Sequence, residues 1–144
     1  MLSFAPVVEG DFEAMLAIRV EALRDSLERL GRFDPVRARE RLMAGFKPEF
    51  MQHIVRDGER IGFVTLRPDP AAGPSVLHMD HLYLRPGWQG QGVGAWVLAW
   101  VKAQASDIRL SALKHSDANR FYLRQGFVQV GESEFDLDYR WSRS

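Results

Sequence analysis

Glycine stands at every second position over Gly90, Gly92 and Gly94, between the apolar segment Leu82-Tyr83-Leu84 and the apolar run from Val93 to Val101. Nothing else in the chain constrains its fold as much. Arg85-Pro86 closes an extended segment, because the residue before a proline is held out of the helical region. The glycines strip side chains from a turn that leads straight into a helix. The first N–H groups of a helix have no intrahelical partner, and the helix dipole adds partial positive charge there. A bare, electropositive backbone of this kind suits a phosphate. The residues placed around it are Gln89, Gly90, Gln91, Gly92, Val93 and Gly94.

Two better-known phosphate loops do not fit. A P-loop needs Lys-Ser or Lys-Thr after its last glycine, and neither follows here. A dinucleotide fingerprint needs G-x-G-x-x-G inside a βαβ unit, whereas the spacing here is G-x-G-x-G after segments that read as antiparallel hairpins. The pattern present is Q-x-x-G-x-G at Gln89, Gly92 and Gly94, behind Leu-x-Leu-x-Pro. It resembles the acyl-CoA loop of the GNAT superfamily, the acyl-CoA-dependent N-acyltransferases. A second segment, Ala118 to Phe127, resembles that family's later signature A-x-x-F-Y-x-x-x-G-F, with Phe121, Tyr122, Gly126 and Phe127 in place. The two motifs and their flanks cover roughly the last half of the chain. One position departs: the family often has Asn three residues before the alanine, and His115 stands there.

The resemblance implies a central mixed, mostly antiparallel sheet with helices on both faces. It implies that the loop amides hold the pyrophosphate of acetyl-CoA. The strand Leu82, Tyr83 and Leu84 would splay from its neighbour and pair with the pantetheine arm, its backbone N–H near Tyr83 or Leu84 receiving the oxyanion. Asn119 would take over the polar contact to the cofactor. Tyr122 would sit near the thioester sulfur as general acid. Read from the residues alone, a tyrosine inside an amphipathic helix is core with its hydroxyl satisfied. The reaction implied is direct transfer of acetyl from acetyl-CoA to a primary amine.

Composition agrees with such a chain and narrows the alternatives. A length of 144 residues suits one domain, residues 1–144. Lys plus Arg and Asp plus Glu are 19 each, so no net charge argues for nucleic acid or an anionic membrane as partner. No run of 18 apolar residues suggests a membrane span, and Met1-Leu2-Ser3-Phe4 lacks the charged start of a signal peptide, so a cytoplasmic location is expected. There is no cysteine, which excludes disulfides, thiolate zinc sites and a cysteine acyl-enzyme. His78 and His81 are three apart on a predicted strand and face opposite sides, so no metal is expected.

Along the chain, Leu2 to Val8 reads as a strand. Asp11 is expected to cap a helix running to about Ser26, and Asp34-Pro35 starts a second helix to about Phe46. Gln52 to Arg56 and Arg60 to Arg67 read as strands joined at Asp57-Gly58, a hairpin signal. Pro68 to Pro74 is a loop and Val76 to Leu84 a strand. After the glycine loop come a helix to about Ala105, a strand Ile108 to Leu113, a helix Ser116 to Gln125, and strands Phe127 to Val130 and Phe135 to Trp141. The order β-α-α-β-β-β-α-β-α-β-β makes an α/β fold with a mixed sheet. The helix after the glycine loop is apolar nearly all round, with Trp96 and Trp100 on it. It is buried twice within one subunit or meets a second copy in a homodimer.

Acetyl transfer needs a neutral amine, a donor for the oxyanion and a proton for the departing thiolate. For the base, His78 and Asp80 share one strand face with Leu82 and Leu84. A histidine has the better intrinsic pKa, and an acidic residue on this strand matches the family habit. The structural reading of Asp80 is a pairing with His81, Arg56 or Arg67. Arg85, Lys114, Arg120 and Arg124 are cations near the motifs, and Arg120 and Arg124 also read as a solvated helix face. Acceptor specificity is expected from the first half, in the two helices, the break Gly31 to Pro35 and the loop near Phe46 to Phe50. Two other functions remain open: a catalytically inactive acyl-CoA-binding regulatory module, and a partner subunit docking through the Trp96/Trp100 helix.

Overall fold

The computed structural model describes residues 1–143. In chain order it holds β1 (Leu2–Pro6), α1 (Phe12–Arg29), α2 (Pro35–Ala44), β2 (Met51–Arg56), β3 (Glu59–Pro68), β4 (Val76–Leu84), α3 (Val93–Gln104), β5 (Asp107–Leu113), α4 (Ala118–Arg124), β6 (Val128–Glu132) and β7 (Asp136–Ser142). The order is the one expected, with short 3-10 turns added at Glu9–Asp11, Pro48–Phe50 and Pro86–Trp88. The seven strands form one sheet in the order β1-β2-β3-β4-β5-β7-β6. It is mixed: β1/β2, β2/β3, β5/β7 and β6/β7 are antiparallel, and β4/β5 is parallel. Among the described residues no helix is long and apolar enough to cross a membrane.

The chain divides into two compact units, residues 1–65 with 81–94, and residues 66–80 with 95–143. In the first, α1 turns Phe12, Met15 and Ile18 inward at helical spacing. They pack with Leu42, Met51 and Phe63, and with the partly buried Phe46 and Tyr83. The rings of Phe12 and Phe46 meet edge to face at 5.1 Å. Asp34 caps α2 as expected, accepting from the N–H groups of Val36 and Arg37 ahead of Pro35. The Asp57-Gly58 turn has positive φ at both residues, 49° and 85°, as a two-residue hairpin with the strand twist requires.

Asp11 behaves otherwise than expected. It precedes α1 but makes no side-chain cap, and the helix runs on to Arg29. Its carboxylate accepts from the Val8 N–H at 3.0 Å, lies 2.9 Å from Nε2 of the buried His53 and 3.1 Å from Nη1 of Arg60. These long-range partners on β2 and β3 outcompete the local helix amides.

In the second unit, β5 and β7 pair along their whole length, from Asp107↔Ser142 to Leu113↔Asp136. Ile108, Leu110 and Ala112 are buried, and Tyr139 lies opposite Leu110. Arg109 and Ser111 take the alternate positions, opposite Arg140 and Asp138. The Tyr122 ring of α4 lies 5.5 Å from that of Phe127 and 6.1 Å from that of Tyr139. Lys102 of α3 donates to the Gln125 carbonyl at 2.6 Å, so a cation meets the negative end of α4. Burial holds the Lys102 ammonium below the ordinary lysine range. β6 lies at the sheet edge, with Val128 and Val130 exposed and a register shift between Gln129 and Gly131.

The His53 hydrogen bond, with smaller help from the Val8 N–H and Arg60, holds the Asp11 carboxyl at about 2. A carboxyl depressed on folding stabilises the fold above its unfolded pKa, and that contribution fades as pH falls through the folded value. Asp11→Asn should therefore lose stability at neutral pH, on the order of 1 kcal/mol once solvent screening is counted. In urea denaturation the gap to the parent protein should close between about pH 5 and pH 2.

Candidate active site

The end of β4 and the glycine loop belong to the first unit. Behind them, an added Cβ on Gly62 of β3 would fall 2.1 Å from the Tyr83 carbonyl oxygen. The two backbones touch there, so no side chain fits. The Arg85 N–H donates to the Ile61 carbonyl at 2.8 Å just beyond. Gln89 reaches back with its Nε2 to the Leu84 carbonyl at 2.9 Å, and Gln91 with its Nε2 to the Gly87 carbonyl at 2.7 Å. Gly90 and Gly92 have φ of 74° and 82° and open space at the Cβ position, so glycine is needed for the backbone turn rather than for room. The N–H groups of Gly90, Gln91, Gly92 and Val93 find no backbone partner among the described residues. The loop thus spends its amide side chains on its own shape and leaves its main-chain donors to another group. Arg85 is engaged by Glu21 and Glu59, and Arg56 stacks over Trp88 at 5.2 Å.

In the second unit, β4 pairs with β5 over Val76↔Asp107, Leu77↔Ile108 and His78↔Arg109. A cavity of about 460 Å³ follows, lined by His78, Asp80, Arg109, Ser111, Asp138 and Arg140 among others. The structure thus brings His78 and Asp80 to one cavity. Their partners differ. Asp80 accepts from Nε and Nη2 of Arg67 at 2.9 and 3.3 Å, one of the pairings open to it in the sequence. His78 Nε2 lies 2.8 Å from the Asp69 carboxylate, which the histidine holds below the usual carboxylate range. A carboxylate on one ring nitrogen fixes the imidazole's orientation and leaves Nδ1 as the second proton site. Asp107 binds Arg109 and Arg140, and Ser111 donates to Asp138 at 2.6 Å.

Tyr122 is buried, 6% exposed, with its ring among Phe121, Phe127 and Tyr139. Asn119, on the same helix, uses both ends of its amide: Nδ2 donates to the Leu113 and Ser116 carbonyls at 2.8 and 3.0 Å, and Oδ1 accepts from the Tyr139 hydroxyl at 2.9 Å. Burial pushes the Tyr139 phenol up. His115 has φ 68°. Asparagine and histidine are among the few side chains that tolerate this left-handed backbone, which accounts for His115 where the family pattern has asparagine. Arg120 and Arg124 are exposed, and Lys114 pairs with Glu132 at 2.8 Å.

Three contributors escaped the sequence reading. Asp69 sits in the loop between Pro68 and Pro70, and nothing in its neighbourhood ties it to His78, nine residues later. Gly62 read as an ordinary strand residue, although a glycine inside a strand is itself a sign of close backbone approach. Tyr139 lay within the strand expected from Phe135 to Trp141, with nothing to show its hydroxyl partner.

Residues 50–129 match the family model described as an acetyltransferase (GNAT) domain. The chain is 31% identical over 90 residues to an aminoalkylphosphonate N-acetyltransferase of Salmonella typhimurium, a stretch covering 52% of this chain and 54% of that protein. The match therefore spans about half the length of that relative. The fold is similar to that of the PaiA N-acetyltransferase of Thermoplasma acidophilum in complex with coenzyme A, at 15% identity over 99% of both chains with a TM-score of 0.78. It is similar too to an acetyltransferase of Thermus thermophilus, at 18% identity over 99% of this chain and 97% of that one, with a TM-score of 0.75.

The contact at Gly62 makes a sharp test of how the end of β4 is held. Gly62→Ala must push β3 from β4 and should lower stability in urea denaturation by about 1–3 kcal/mol. Gly10→Ala, where an added Cβ meets nothing within 4 Å, should stay within about 0.5 kcal/mol of the parent.

Proposed function

This chain belongs to the GNAT acetyltransferase family, and from that premise we propose that it transfers acetyl from acetyl-CoA directly to a primary amine of a small molecule. The observation that carries the reading is the glycine loop, whose open main-chain donors from Gly90 to Val93 stand at the start of α3. Such donors suit a pyrophosphate. In this reading Gln89, Gly90, Gln91, Gly92, Val93 and Gly94 bind the phosphates. Leu82, Tyr83 and Leu84 offer main-chain groups to the pantetheine arm. Asn119 acts on the cofactor side by fixing Tyr139 and the start of α4, and Tyr122 protonates the departing thiolate.

His78 serves as base. Its hydrogen bond to Asp69 supports that role, and the two-pronged pairing of Asp80 with Arg67 supports a positioning role for Asp80. The base removes a proton from the ammonium or from the tetrahedral adduct. The nitrogen then keeps the acetyl group, and the thiolate leaves as CoA thiol. The Salmonella relative's name gives it a small primary amine as acceptor, so small amines come first in an acceptor screen. Residues 1–144 are read as one acetyltransferase domain working in the cytoplasm. Part-exposed Trp96 and Trp100 on α3 support a homodimer, to be checked by sedimentation at tens of micromolar.

Acetyl-CoA should stabilise the protein by about 2.7 kcal/mol at a hundredfold excess over its dissociation constant. Gly92→Asp, which sets a negative charge against the loop donors, should abolish that shift and leave a folded protein. An unchanged thermal shift would place the cofactor elsewhere. CoA release, followed with a thiol reagent, has no protein cysteine in its background. In that assay Tyr122→Phe should lower kcat by about 10²-fold or more with acetyl-CoA affinity retained. Wild-type turnover in a stable Tyr122→Phe protein, with chemistry limiting, would remove Tyr122 from the reaction.

A further inference from the structure

Arg19 carries a charge unlike those lining the cavity of the second unit. It stands on α1 and is only 6% exposed. Its Nη1 donates to the Ala38 carbonyl of α2 at 3.2 Å, and its guanidinium lies over the Tyr83 ring, 5.6 Å from the centroid. Its Nε is buried without a hydrogen-bond partner among the described residues. Arg19 forms no ion pair among the described residues, whereas Arg67, Arg85, Arg109 and Arg140 each have a carboxylate.

Burying a guanidinium without a counter-charge is strongly unfavourable. Arginine, unlike lysine or histidine, does not relieve that by giving up its proton. One carbonyl and one aromatic face offset part of the penalty. A role confined to tying α1 to α2 would need a single donor, the one spent on Ala38. Nη2 makes no hydrogen bond or ion pair among the described residues, and a guanidinium N–H of this kind suits an oxygen of a carboxylate or phosphonate. The location also matters: Tyr83 lies two residues before Arg85, where β4 gives onto the glycine loop.

We propose that Arg19 receives an oxyanion borne by the acceptor, so that the substrate is a small amine carrying a carboxylate or phosphonate group. This inference rests on the acetyl-transfer reading above and narrows its acceptor. The oxyanion would anchor one end of the molecule and leave the amine free to reach the thioester.

The test compares amines of equal chain length, an aminoalkyl carboxylate, an aminoalkyl phosphonate and the plain alkylamine, by kcat/KM from CoA release. The parent protein should favour at least one oxyanion-bearing amine by about tenfold to a hundredfold, the span of a charge-assisted pairing. The better of the two identifies the group. In Arg19→Met that ratio should fall towards one, and Arg19→Lys should recover part of it. Acetylation of all three amines with equal efficiency overturns the inference and leaves acetyl transfer standing. A second measurement needs neither turnover nor a folded variant. Methylphosphonate or propionate, without acetyl-CoA, should raise the melting temperature of the parent protein, and a flat response to both overturns the inference. If anions stabilise the protein but no amine is acetylated, the acetyl-transfer reading fails and the anion site stands. Where Arg19→Met folds, it should lose the anion response; a retained response overturns the assignment to Arg19.

Discussion

Backbone meets backbone at Gly62, with no room for a methyl group against the Tyr83 carbonyl, and the form of the loop is built outward from that contact. The Ile61 carbonyl takes the Arg85 N–H just past it, which fixes where the strand ends. Gln89 then returns to the Leu84 carbonyl and Gln91 to Gly87, so the loop is braced from within by two amide side chains. With the carbonyls occupied in this way, the N–H groups that follow have no backbone partner among the described residues ahead of α3. A phosphate site made of backbone has no side chain to tune it. Its quality depends on how firmly the chain is held from behind.

Much of this was legible in the sequence because the signals were local. Glycine at alternate positions, Asp34-Pro35 at a helix start and Asp57-Gly58 in a hairpin each state a backbone requirement within a few residues, and each is met. The strand from Val76 to Leu84 lies where the apolar pattern put it. Partners chosen across the chain were not legible. Asp11 looked like a helix cap and serves His53 and Arg60, 42 and 49 residues away. Asp69 joins His78 from a proline-rich loop, and Asn119 joins Tyr139. No periodicity encodes such meetings; they exist only once the strands are in register.

The cavity of the second unit shows how charges can share a sheet face without great cost. Asp107 holds Arg109 and Arg140, Asp80 holds Arg67, and Asp138 takes the Ser111 hydroxyl. The Asp80–Arg67 pair is half-exposed on both sides, where the net contribution of an ion pair is about 0–1 kcal/mol, whereas Asp107 is buried and only its arginines reach water. Their value is positional. Long side chains that would otherwise sweep the cavity are tethered to their neighbours, and the shape they line is kept. His78 sits among them with its imidazole steadied from one side, whereas Arg19, in the other unit, is held by the Ala38 carbonyl and pairs with no carboxylate among the described residues.

The outer strand β6 has a consequence of a different kind. A strand at a sheet's edge offers unpaired donors and acceptors to any other chain, and Val128 and Val130 are exposed on this one, at 64% and 61%. The combination invites stacking of molecule on molecule. The register shift between Gln129 and Gly131 works against it, because an irregular strand cannot continue a straight ladder. At Gly131 an added Cβ would press on the Asp138 side chain at 3.2 Å, so a larger residue there would strain the bend. A single bent strand of five residues thereby helps decide whether this protein stays dispersed when crowded or grows into aggregates.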